Sequence, residues 1–594
     1  MRTESNGIAF EIDLGGQGAD CALLPLKGEP GVKLWQLRLC FQEERVPQTI
    51  SLTFHVPRAD IFSVFRPNGK SVSGVLPDWN PVRAASSSAS GAPLLALVGK
   101  DDGNRLTVAL SDCQTPCCLK AGYHEAGRDM TVCVEWFPSP VGPMKRYAAV
   151  LRLDMRRIPA ARSIAEACCW WKENGYPAAL LPEAATLPMY APWYVFQQNY
   201  TDEVLLAECR RARELGMETV IVDDGWQTDD NGGGYAFCGD WQVCKNKIRD
   251  MRRFADALHG MGMKLVLWFS VPFMGKNAAG VERFRGKYLY FNESLNTYVL
   301  DPRFREVRDY LVSVYERFLE QYDLDGFKLD FIDAFRLTPQ SPVNYDEMDF
   351  VSLEDAVDAL IGEVSRALKK RNPEVLLEFR QHYTGAMMQK YGNMFRVGDC
   401  PGNGTALRVG VAELRMITKG VAVHSDPLIW SYDDPVEYAA YQLNHSLFGV
   451  PQISLRLCAI TEPHRRMLAH YLRYFRENRE ILLFGTMLAE GFEQSYTALS
   501  ALGEEKSITV LYAKNILSLS GLGRDCSDVI NATAGREVYL RADTEQALHI
   551  RITDCMGDPV EEIQAVLRPG LHCLTVPVSG FLHLKKIKHH TPVR

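Results

Sequence analysis

The chain has 594 residues, of which 46% are hydrophobic and 23% charged, a composition typical of a large globular protein that argues against disorder. A formal net charge of −7, with no basic cluster ahead of the C-terminal tail, disfavours nucleic acid and anionic membranes as main partners. No apolar run is long enough to span a bilayer, and the N-terminus lacks the apolar core of a signal peptide, so the sequence predicts a cytoplasmic protein.

The cysteine pattern predicts neither disulfides nor a metal site. The 16 cysteines are scattered along the chain, and pairs such as Cys117-Cys118 and Cys168-Cys169 are adjacent rather than set at the spacing of metal ligands. Cys238 and Cys244 flank Trp241 without a third or fourth ligand nearby, which argues against zinc. No glycine-rich phosphate loop occurs between a strand and a helix, so no cofactor is predicted.

The N-terminal part alternates apolar and polar residues with period two. Six antiparallel strands separated by Gly, Pro and Ser turns are predicted at 34–42, 48–57, 94–99, 105–111, 130–137 and 146–154. Residues 1–158 are therefore predicted to form a β-sandwich. Residues 159–184 are predicted to be a linking helix, with Trp170 and Trp171 packed against the next domain, followed by a linker.

The pattern then changes to apolar runs that alternate with helical segments, which predicts a catalytic (β/α)8 TIM barrel over 185–485. The eight strands are expected at 191–199, 218–226, 263–270, 326–331, 375–381, 394–399, 421–427 and 452–457. Helices are expected at 202–216, 250–261, 304–322, 353–371, 405–418, 435–448 and 462–479.

Period-two alternation returns after the barrel. Strands are predicted at 496–502, 507–512, 537–542, 548–553 and 573–578. Residues 486–594 are therefore predicted to form a small antiparallel β-sandwich.

Polar residues at the ends of the predicted barrel strands suggest the chemistry, because barrel enzymes carry their sites there. The set is rich in carboxylates, tryptophan and fixed cations: Asn199, Asp223, Asp224, Trp226, Trp268, Lys328, Asp330, Glu378, Arg380, Gln381, Arg396, Asp399, His424, Ser425 and Asp426. Cleavage of a glycosidic bond needs one ionised carboxylate and one protonated acid, and sugars need hydrogen-bonding groups and aromatic plates. Asp330 and Asp399, at the ends of the fourth and sixth strands, are the candidate pair.

These residues resemble the α-galactosidases of glycoside hydrolase family 36, in the melibiase clan. Four segments carry the resemblance: Asp-Asp-Gly-Trp at 223–226, Gly-Asp-Trp at 239–241, the third strand at 262–268, and Lys-Leu-Asp at 328–330, which is similar to the family's Lys-Trp-Asp nucleophile motif. Arg-Val-Gly-Asp at 396–399 looks like the segment that ends in the family's acid/base aspartate. The resemblance covers about residues 185–485.

The resemblance implies roles for these residues. Asp330 would be the nucleophile and Asp399 the acid/base, while Asp223 and Asp224 would bind the hydroxyls at C4 and C6. Lys328 would bind a hydroxyl and keep Asp330 ionised. Arg396 would bind the C2 hydroxyl or steer Asp399, and Arg380 would line the pocket or fill the barrel mouth. The sugar face would rest on three rings, Trp226, Trp241 and Trp268.

Structural readings of the same residues stay open. Asp330 could be an acid paired with Lys328 inside the barrel, and Asp399 could cap the turn that follows it. Asp223 and Asp224 could serve the turn at Gly225, and the tryptophans could belong to the core.

The expected function is that of a retaining exo-α-glycosidase of the α-galactosidase type, acting on an oligosaccharide or glycoside. At the fifth strand the family shows Cys-x-x-Gly-Gly-Gly-x-Arg where this chain has Glu-Phe-Arg-Gln-His-Tyr-Thr-Gly at 378–385, so the C2 subsite cannot be carried over. An α-N-acetylgalactosaminidase, an α-galactosyl transglycosylase or an inactive carbohydrate-binding barrel stay as alternatives. In the family the N-terminal domain can reach a neighbouring subunit's site, which leaves a homo-oligomer open.

Overall fold

The computed structural model describes residues 1–67, 73–380 and 382–587 of the chain. Buried apolar side chains of these residues form three clusters, one inside the N-terminal sheets, one inside the C-terminal sheets, and a large one that fills the central barrel and extends to both neighbours. In the same residues no helix combines the length and the apolar character needed to cross a membrane.

Two antiparallel sheets pack face to face in the N-terminal part, as the sequence predicts. Within the described residues one sheet has six strands, in the spatial order Arg2–Ser5, Ile8–Asp13, Ile50–Pro57, Asp129–Trp136, Cys117–His124 and Val82–Ser86. The other has seven, in the order Ala19–Leu26, Val32–Arg45, Met144–Asp154, Asn104–Leu110, Leu94–Val98, Ser63–Phe65 and Ser73–Gly74. Trp35 and Phe54 pack edge-on against Phe10 between the sheets, at ring-centroid distances of 5.1 and 5.6 Å.

A single helix, Ala160–Glu173, joins this sandwich to the barrel. Trp171 on this helix is buried, and its indole Nε1 donates a hydrogen bond of 2.7 Å to the carbonyl oxygen of Leu110 in the sandwich. On the barrel side, the thiol of Cys168 donates to the carbonyl oxygen of Met416 at 3.5 Å. The helix therefore binds both domains through buried contacts. The domain boundaries after residues 158, 184 and 485 stay a prediction.

The central part is a parallel eight-stranded barrel sheet, counted over the residues that the structure describes. Its strands in chain order are Met189–Tyr190, Thr219–Val222, Lys264–Ser270, Gly326–Asp330, Leu376–Arg380, Met394–Arg396, Ala422–His424 and Gln452–Ile453. The first strand pairs with the eighth, and a bridge between His424 and Val450 brings the last segments together. The sheet is thus nearly closed, which confirms the predicted TIM barrel.

Seven helices of the described chain follow these strands at the predicted places. They are Asp202–Glu214, Met251–Gly260, Arg305–Tyr322, Leu353–Arg371, Gly404–Ile417, Val436–Ser446 and Glu462–Phe484. Side-chain caps mark several starts: Asp250 accepts from the Arg253 amide, and Ser352 accepts from the Asp355 amide. The helices cover the outside of the barrel, as expected for a parallel sheet with both faces buried.

The predicted first strand at 191–199 is wrong. The strand is Met189–Tyr190, and the chain then turns through a short helix, Trp193–Phe196. Pro192 explains the difference, because it lacks the amide proton that a strand ladder needs and is well suited to a helix start. The sixth strand is also shorter than predicted: it ends at Arg396, so Asp399 lies on the loop that follows.

A small antiparallel sheet, which the sequence did not predict, follows the third barrel strand. Its three strands within the described residues are Phe273–Gly275, Tyr288–Asn292 and Thr297–Leu300. Phe273 of this sheet lies 4.6 Å, centroid to centroid, from Phe331 just after the fourth barrel strand. The insertion therefore forms part of the wall beside Asp330.

The described residues of the C-terminal part, up to residue 587, form two further sheets. The larger has the strand order Thr486–Glu490, Ala498–Leu502, Lys506–Leu511, Cys526–Asn531, Phe581–Lys586, Gln546–Thr553 and Pro559–Leu567. The smaller consists of Ile516–Ser518, Glu537–Ala542 and Gly570–Thr575. Most neighbours are antiparallel as predicted, but Lys506–Leu511 pairs in parallel with Cys526–Asn531, and Ile516–Ser518 with Glu537–Ala542.

Gly326 opens the fourth barrel strand where its neighbour leaves no space. A Cβ there would lie 2.4 Å from the carbonyl oxygen of Leu376 on the fifth strand. We expect Gly326→Ala to lower the free energy of unfolding by about 1–3 kcal/mol, because the two strands must separate to admit the methyl group. Thermal denaturation followed by circular dichroism measures the change.

Gly260→Ala is the matched control, because this glycine ends a helix and a Cβ there would meet no atom within 4 Å. We expect it to stabilise the protein by about 0.4–1 kcal/mol. A Gly326→Ala variant as stable as Gly260→Ala would contradict the close strand packing.

Candidate active site

Asp330 ends the fourth barrel strand and is held by donors on several sides. The strand alternates its side chains, so Lys328 and Asp330 face the same side of the sheet, and both are 4% exposed. Trp268 Nε1 donates to Oδ2 at 2.8 Å. Arg380 Nε, at 2.5 Å, and the Phe331 amide, at 2.7 Å, donate to Oδ1. Burial alone would raise the pKa of this carboxyl, but Arg380, Lys328 and these hydrogen bonds lower it below its ordinary value.

Asp399 lies on the loop after the sixth strand, and 49% of its side chain is exposed. Arg396 Nη2 donates to its Oδ1 at 2.8 Å, and Arg380 Nη1 donates to its Oδ2 at 3.1 Å. Arg380 therefore contacts both Asp330 and Asp399 with one guanidinium group. The two candidate catalytic carboxyls therefore lie near each other at the barrel mouth, with the guanidinium group of Arg380 in contact with both.

Arg396 anchors the loop that carries Asp399. Its side chain is 2% exposed, and Nη1 donates to Asp426 Oδ1. Asp426 Oδ2 accepts from the hydroxyl of Tyr194 at 2.9 Å and from the amide of Cys400 at 2.8 Å. Arg396 thus links Asp399 to a buried network, a geometry that fits steering of Asp399 rather than binding of a C2 hydroxyl.

Asp223 and Asp224 follow the second strand, Thr219–Val222. Lys328 Nζ donates to Asp223 Oδ2 at 2.5 Å, so its direct ion-pair partner is Asp223 rather than Asp330. Asp224 accepts from Gln198 Nε2 at 2.7 Å and from Gln227 Nε2 at 2.6 Å. Burial raises the pKa of Asp224 to about 6.

The three tryptophans predicted to line a sugar are all buried. Trp226 and Trp241 are 0% and 2% exposed, stack on each other at 5.8 Å, and pack against Phe269. Neither ring has a free face, so their role as platforms stays a prediction that this geometry does not support. Trp268 touches the site through its contact to Asp330, and its ring stacks with Tyr235 at 6.1 Å.

The site also contains residues that the sequence did not predict. The hydroxyl of Tyr383 lies 3.4 Å from Asp330 Oδ1 and 3.1 Å from the Leu329 carbonyl oxygen. Gln198 was missed because its segment was assigned to a strand. Tyr383 could have been found, since it lies in the loop where this chain differs from the family pattern. Gln381, a predicted lining residue, lies outside the described residues, and those residues contain no cluster of three or more His, Cys, Asp or Glu suited to a metal ion.

Comparisons with known proteins show what this part of the chain is similar to. Residues 188–387 match the Melibiase family model. Over 148 residues the chain is 30% identical to α-galactosidase Mel36A of Lactobacillus acidophilus, covering 23% of this chain and 20% of that protein. It is 25% identical over 197 residues to the bifunctional α-galactosidase/sucrose kinase AgaSK of Mediterraneibacter gnavus, covering 31% of this chain and 19% of that protein. The aligned stretches span about a fifth of these curated relatives. Residues 188–387 are thus similar to the Melibiase family, and the relatives that the chain matches are named α-galactosidases.

The fold extends the likeness beyond the aligned stretch. The family 36 α-galactosidase AgaA of Geobacillus stearothermophilus superposes with a TM-score of 0.66 at 15% identity, covering 96% of this chain and 82% of that one. A variant of AgaA in complex with raffinose gives 0.64 at 15% identity, covering 96% and 82%. At such identities the superpositions show a common fold, including the flanking β domains.

Two arginines, Arg380 and Arg396, dominate the electrostatics of the site. Burial would raise the pKa of Asp399, but Arg396 and Arg380 hold it well below its ordinary value. Both Asp330 and Asp399 are therefore ionised in the free protein near neutral pH. Their mutual repulsion is offset by the guanidinium group that they share.

Asp224 gives a test of the burial at this site. Its pKa is raised to about 6 from 3.8, so it favours folding below about pH 4 and loses that contribution as pH rises through about 6. We expect the stability of wild type relative to Asp224→Asn to fall over this window by on the order of 3 kcal/mol, at 1.36 kcal/mol for each pKa unit. Urea denaturation at a series of pH values measures it.

The exposed acid Asp346 supplies the control variant Asp346→Asn. For each variant, its free energy of unfolding is subtracted from that of wild type at every pH. If this difference varies with pH equally for Asp224→Asn and Asp346→Asn, Asp224 is not the group that titrates.

Proposed function

We propose that this protein is a retaining, exo-acting α-glycosidase of the α-galactosidase type. It hydrolyses a terminal α-galactosyl residue by double displacement, with Asp330 as nucleophile and Asp399 as acid/base. The observation that carries the proposal is the contact of one guanidinium group, that of Arg380, with both carboxyls at the carboxyl end of a barrel that is similar to the α-galactosidases. In retaining glycosidases the two catalytic carboxyl groups are about 5–5.5 Å apart, and we expect that separation between Asp330 and Asp399.

Asp330 has the properties that a nucleophile requires. Its lowered pKa keeps it ionised near neutral pH, and its position is fixed by Trp268 and the Phe331 amide. A carboxylate that is already oriented loses little freedom when it attacks the anomeric carbon. In the glycosyl-enzyme intermediate a C–O bond joins Asp330 to the sugar, and the leaving oxygen takes a proton from Asp399.

Ionised Asp399 can act as the base that activates water in the second displacement. In the first displacement it acts as the acid, so it must gain a proton before that step. Its exposed carboxyl can meet both the leaving group and the incoming water. Arg380 occupies the space between the two carboxyls, so we propose that an entering sugar displaces it from Asp399. Loss of that positive neighbour raises the pKa of Asp399 and allows protonation.

The sugar hydroxyls would be bound at the second strand. Asp223, Asp224 and Lys328 offer acceptors and a donor within one buried cluster, which also contains the amides of Gln198 and Gln227. A hydroxyl of the wrong configuration would leave these buried groups unpaired, and that costs free energy. We therefore propose that this cluster reads the C4 and C6 hydroxyls of a galactose-type sugar. Since AgaA variants are described with raffinose and stachyose, oligosaccharides of that kind are the proposed substrates.

Removal of the nucleophile tests the proposal. Asp330→Ala should lower kcat/KM on an aryl α-galactoside by at least about a thousandfold. Added azide should restore turnover and give the β-galactosyl azide, because the small anion fills the space of the lost carboxylate and attacks from the same face. Product configuration is read by proton NMR.

Asp346→Ala, at an exposed position, is the control and should keep wild-type activity. Full activity of Asp330→Ala, or rescue by azide with the α-configured product, would refute the assignment. A wild-type chain that binds galactose without turnover, and gains no mass from a covalent cyclitol inactivator, would instead be a carbohydrate-binding barrel.

A variant of Arg380 tests the acid step through a measurement that a purely structural role of Arg380 would not change. We expect Arg380→Met to raise the pKa of Asp399, so the protonated acid is available at higher pH. The readout is kcat/KM for a poor leaving group divided by kcat/KM for an activated aryl leaving group, from about pH 4 to about pH 8. Effects of the substitution on Asp330 cancel in this ratio, because they act on both substrates. The ratio should increase up to tenfold for each unit by which the pKa of Asp399 rises.

Arg336→Met is the matched control, because Arg336 is an exposed arginine that packs over the ring of Tyr290 at 5.4 Å. If the leaving-group ratio of Arg380→Met follows the wild-type and control curves, Arg380 does not set the protonation of Asp399.

A further inference from the structure

A cavity of about 560 Å³ lies at the junction of the linking helix, the barrel and the C-terminal sheet. Its walls come from Ala160–Glu173, from the end of the helix Gly404–Ile417, and from the start of Thr486–Glu490. The helix Gly404–Ile417 begins five residues after Asp399 (404 − 399) and ends at this cavity. At about 1.5 Å per residue the helix separates the cavity from the candidate active site by roughly 20 Å.

The cavity is strongly cationic although the whole chain has a net charge of −7. Among the described residues that line it, four carry a positive charge: Arg162, Lys172, Arg415 and Lys419. The acid among those lining residues, Glu166, already pairs with Arg162 at 2.8 Å and also with Arg156. The positive charge of the cavity therefore exceeds the negative charge by three.

Arg415 is the unusual member of this group. Its Nε is buried and has no hydrogen-bond partner among the residues that the structure describes. Nη2 donates to the carbonyl oxygen of Gly485 at 3.2 Å. Burial lowers the pKa of Arg415 to about 10. A buried Nε–H without an acceptor costs free energy, and an anion bound in the cavity would supply the acceptor.

The two lysines can converge on the same space. A Cβ placed on Gly420 would lie 3.1 Å from Lys172 Nζ, so the ammonium group lies against the loop that also carries Lys419. Gly420 adopts a φ of 79°, which lets this loop turn tightly around the lysine. Two cations from different parts of the chain therefore lie on one rim of the cavity.

The cavity also has apolar walls. Met416, Leu483 and Phe484 are among its lining residues. The volume falls within the range of small-molecule sites, which is about 300–1,000 Å³. A ligand that fits would thus combine an anionic head with a compact carbon skeleton.

We propose that this cavity binds a phosphate group, either as free inorganic phosphate or as the phosphate of a small organic ester. Arg415 supplies the planar guanidinium donors that suit phosphate oxygens, and Lys172 and Lys419 supply flexible ammonium groups. The site is separate from the candidate glycosidase site and does not depend on the proposed function. A purely structural role for Arg415 would be expected to satisfy its Nε within the protein.

Isothermal titration calorimetry of the full chain tests the proposal. The probes are inorganic phosphate and glucose 6-phosphate, each at an ionic strength held constant with sodium chloride. We expect wild type to bind one phosphate group per chain, and Arg415→Met to bind at least about tenfold more weakly. The probe with the higher affinity identifies free phosphate or a phosphate ester as the preferred form.

The variant Arg253→Met controls for the loss of one positive charge, because Arg253 lies on another helix with 87% of its side chain exposed. It should bind both probes like wild type. Lys419→Ala, at an exposed position, gives a second test should Arg415→Met not fold, and it should weaken binding and reduce its salt dependence. Absence of binding to wild type, or wild-type affinity in both Arg415→Met and Lys419→Ala, would overturn the proposal.

Discussion

The candidate site depends on one guanidinium group shared by two carboxylates. Arg380 donates to Asp330 at 2.5 Å and to Asp399 at 3.1 Å, and without it two like charges would face each other at the barrel mouth. Arg380 is the main group that lowers the pKa of Asp330, and it acts together with Arg396 to lower the pKa of Asp399. In the proposed mechanism, Asp399 cannot protonate a leaving group while Arg380 helps to hold it ionised. The proposal therefore couples substrate binding to the acid step through the position of Arg380.

Barrel geometry explains why so many charges meet here. Parallel strands that end at one edge bring Lys328, Arg380 and Arg396 inward by alternation, and each of them contacts a carboxylate. Removing ions from water costs several kcal/mol per ion, and such pairs seldom add net stability. Their value lies in orientation: Arg396 fixes the loop of Asp399 through Asp426, and Lys328 fixes Asp223. The stability of the barrel comes instead from its continuous apolar cluster.

The sequence predicts the barrel well where local patterns and packing agree. The short segments 263–270 and 326–331 are rich in large apolar residues, which favours buried strands, and they carry Trp268 and Asp330 to the edge of the sheet where the site lies. The prediction failed at 191–199, where Pro192 overrides an apolar run that otherwise favours a strand. The sequence also does not show whether an aromatic ring faces the pocket or the core, because Trp226 and Trp241 are positioned by contacts with residues far away in the chain. The central place of Arg380 depends on the convergence of three segments, which no single pattern reveals.

The N-terminal sandwich supports the loop at 382–385, which lies in the segment where the chain differs from the family pattern. The amide of Gly91 donates to the carbonyl oxygen of His382 at 2.5 Å, and a Cβ on Gly385 would lie 2.3 Å from the Gly91 carbonyl oxygen. Tyr383, between these two contacts, reaches Asp330. A close approach of two backbones on either side of a site residue leaves that residue few alternative positions. The sandwich therefore supports the wall that carries Arg380 and Tyr383, and its packing contributes to the orientation of Asp330.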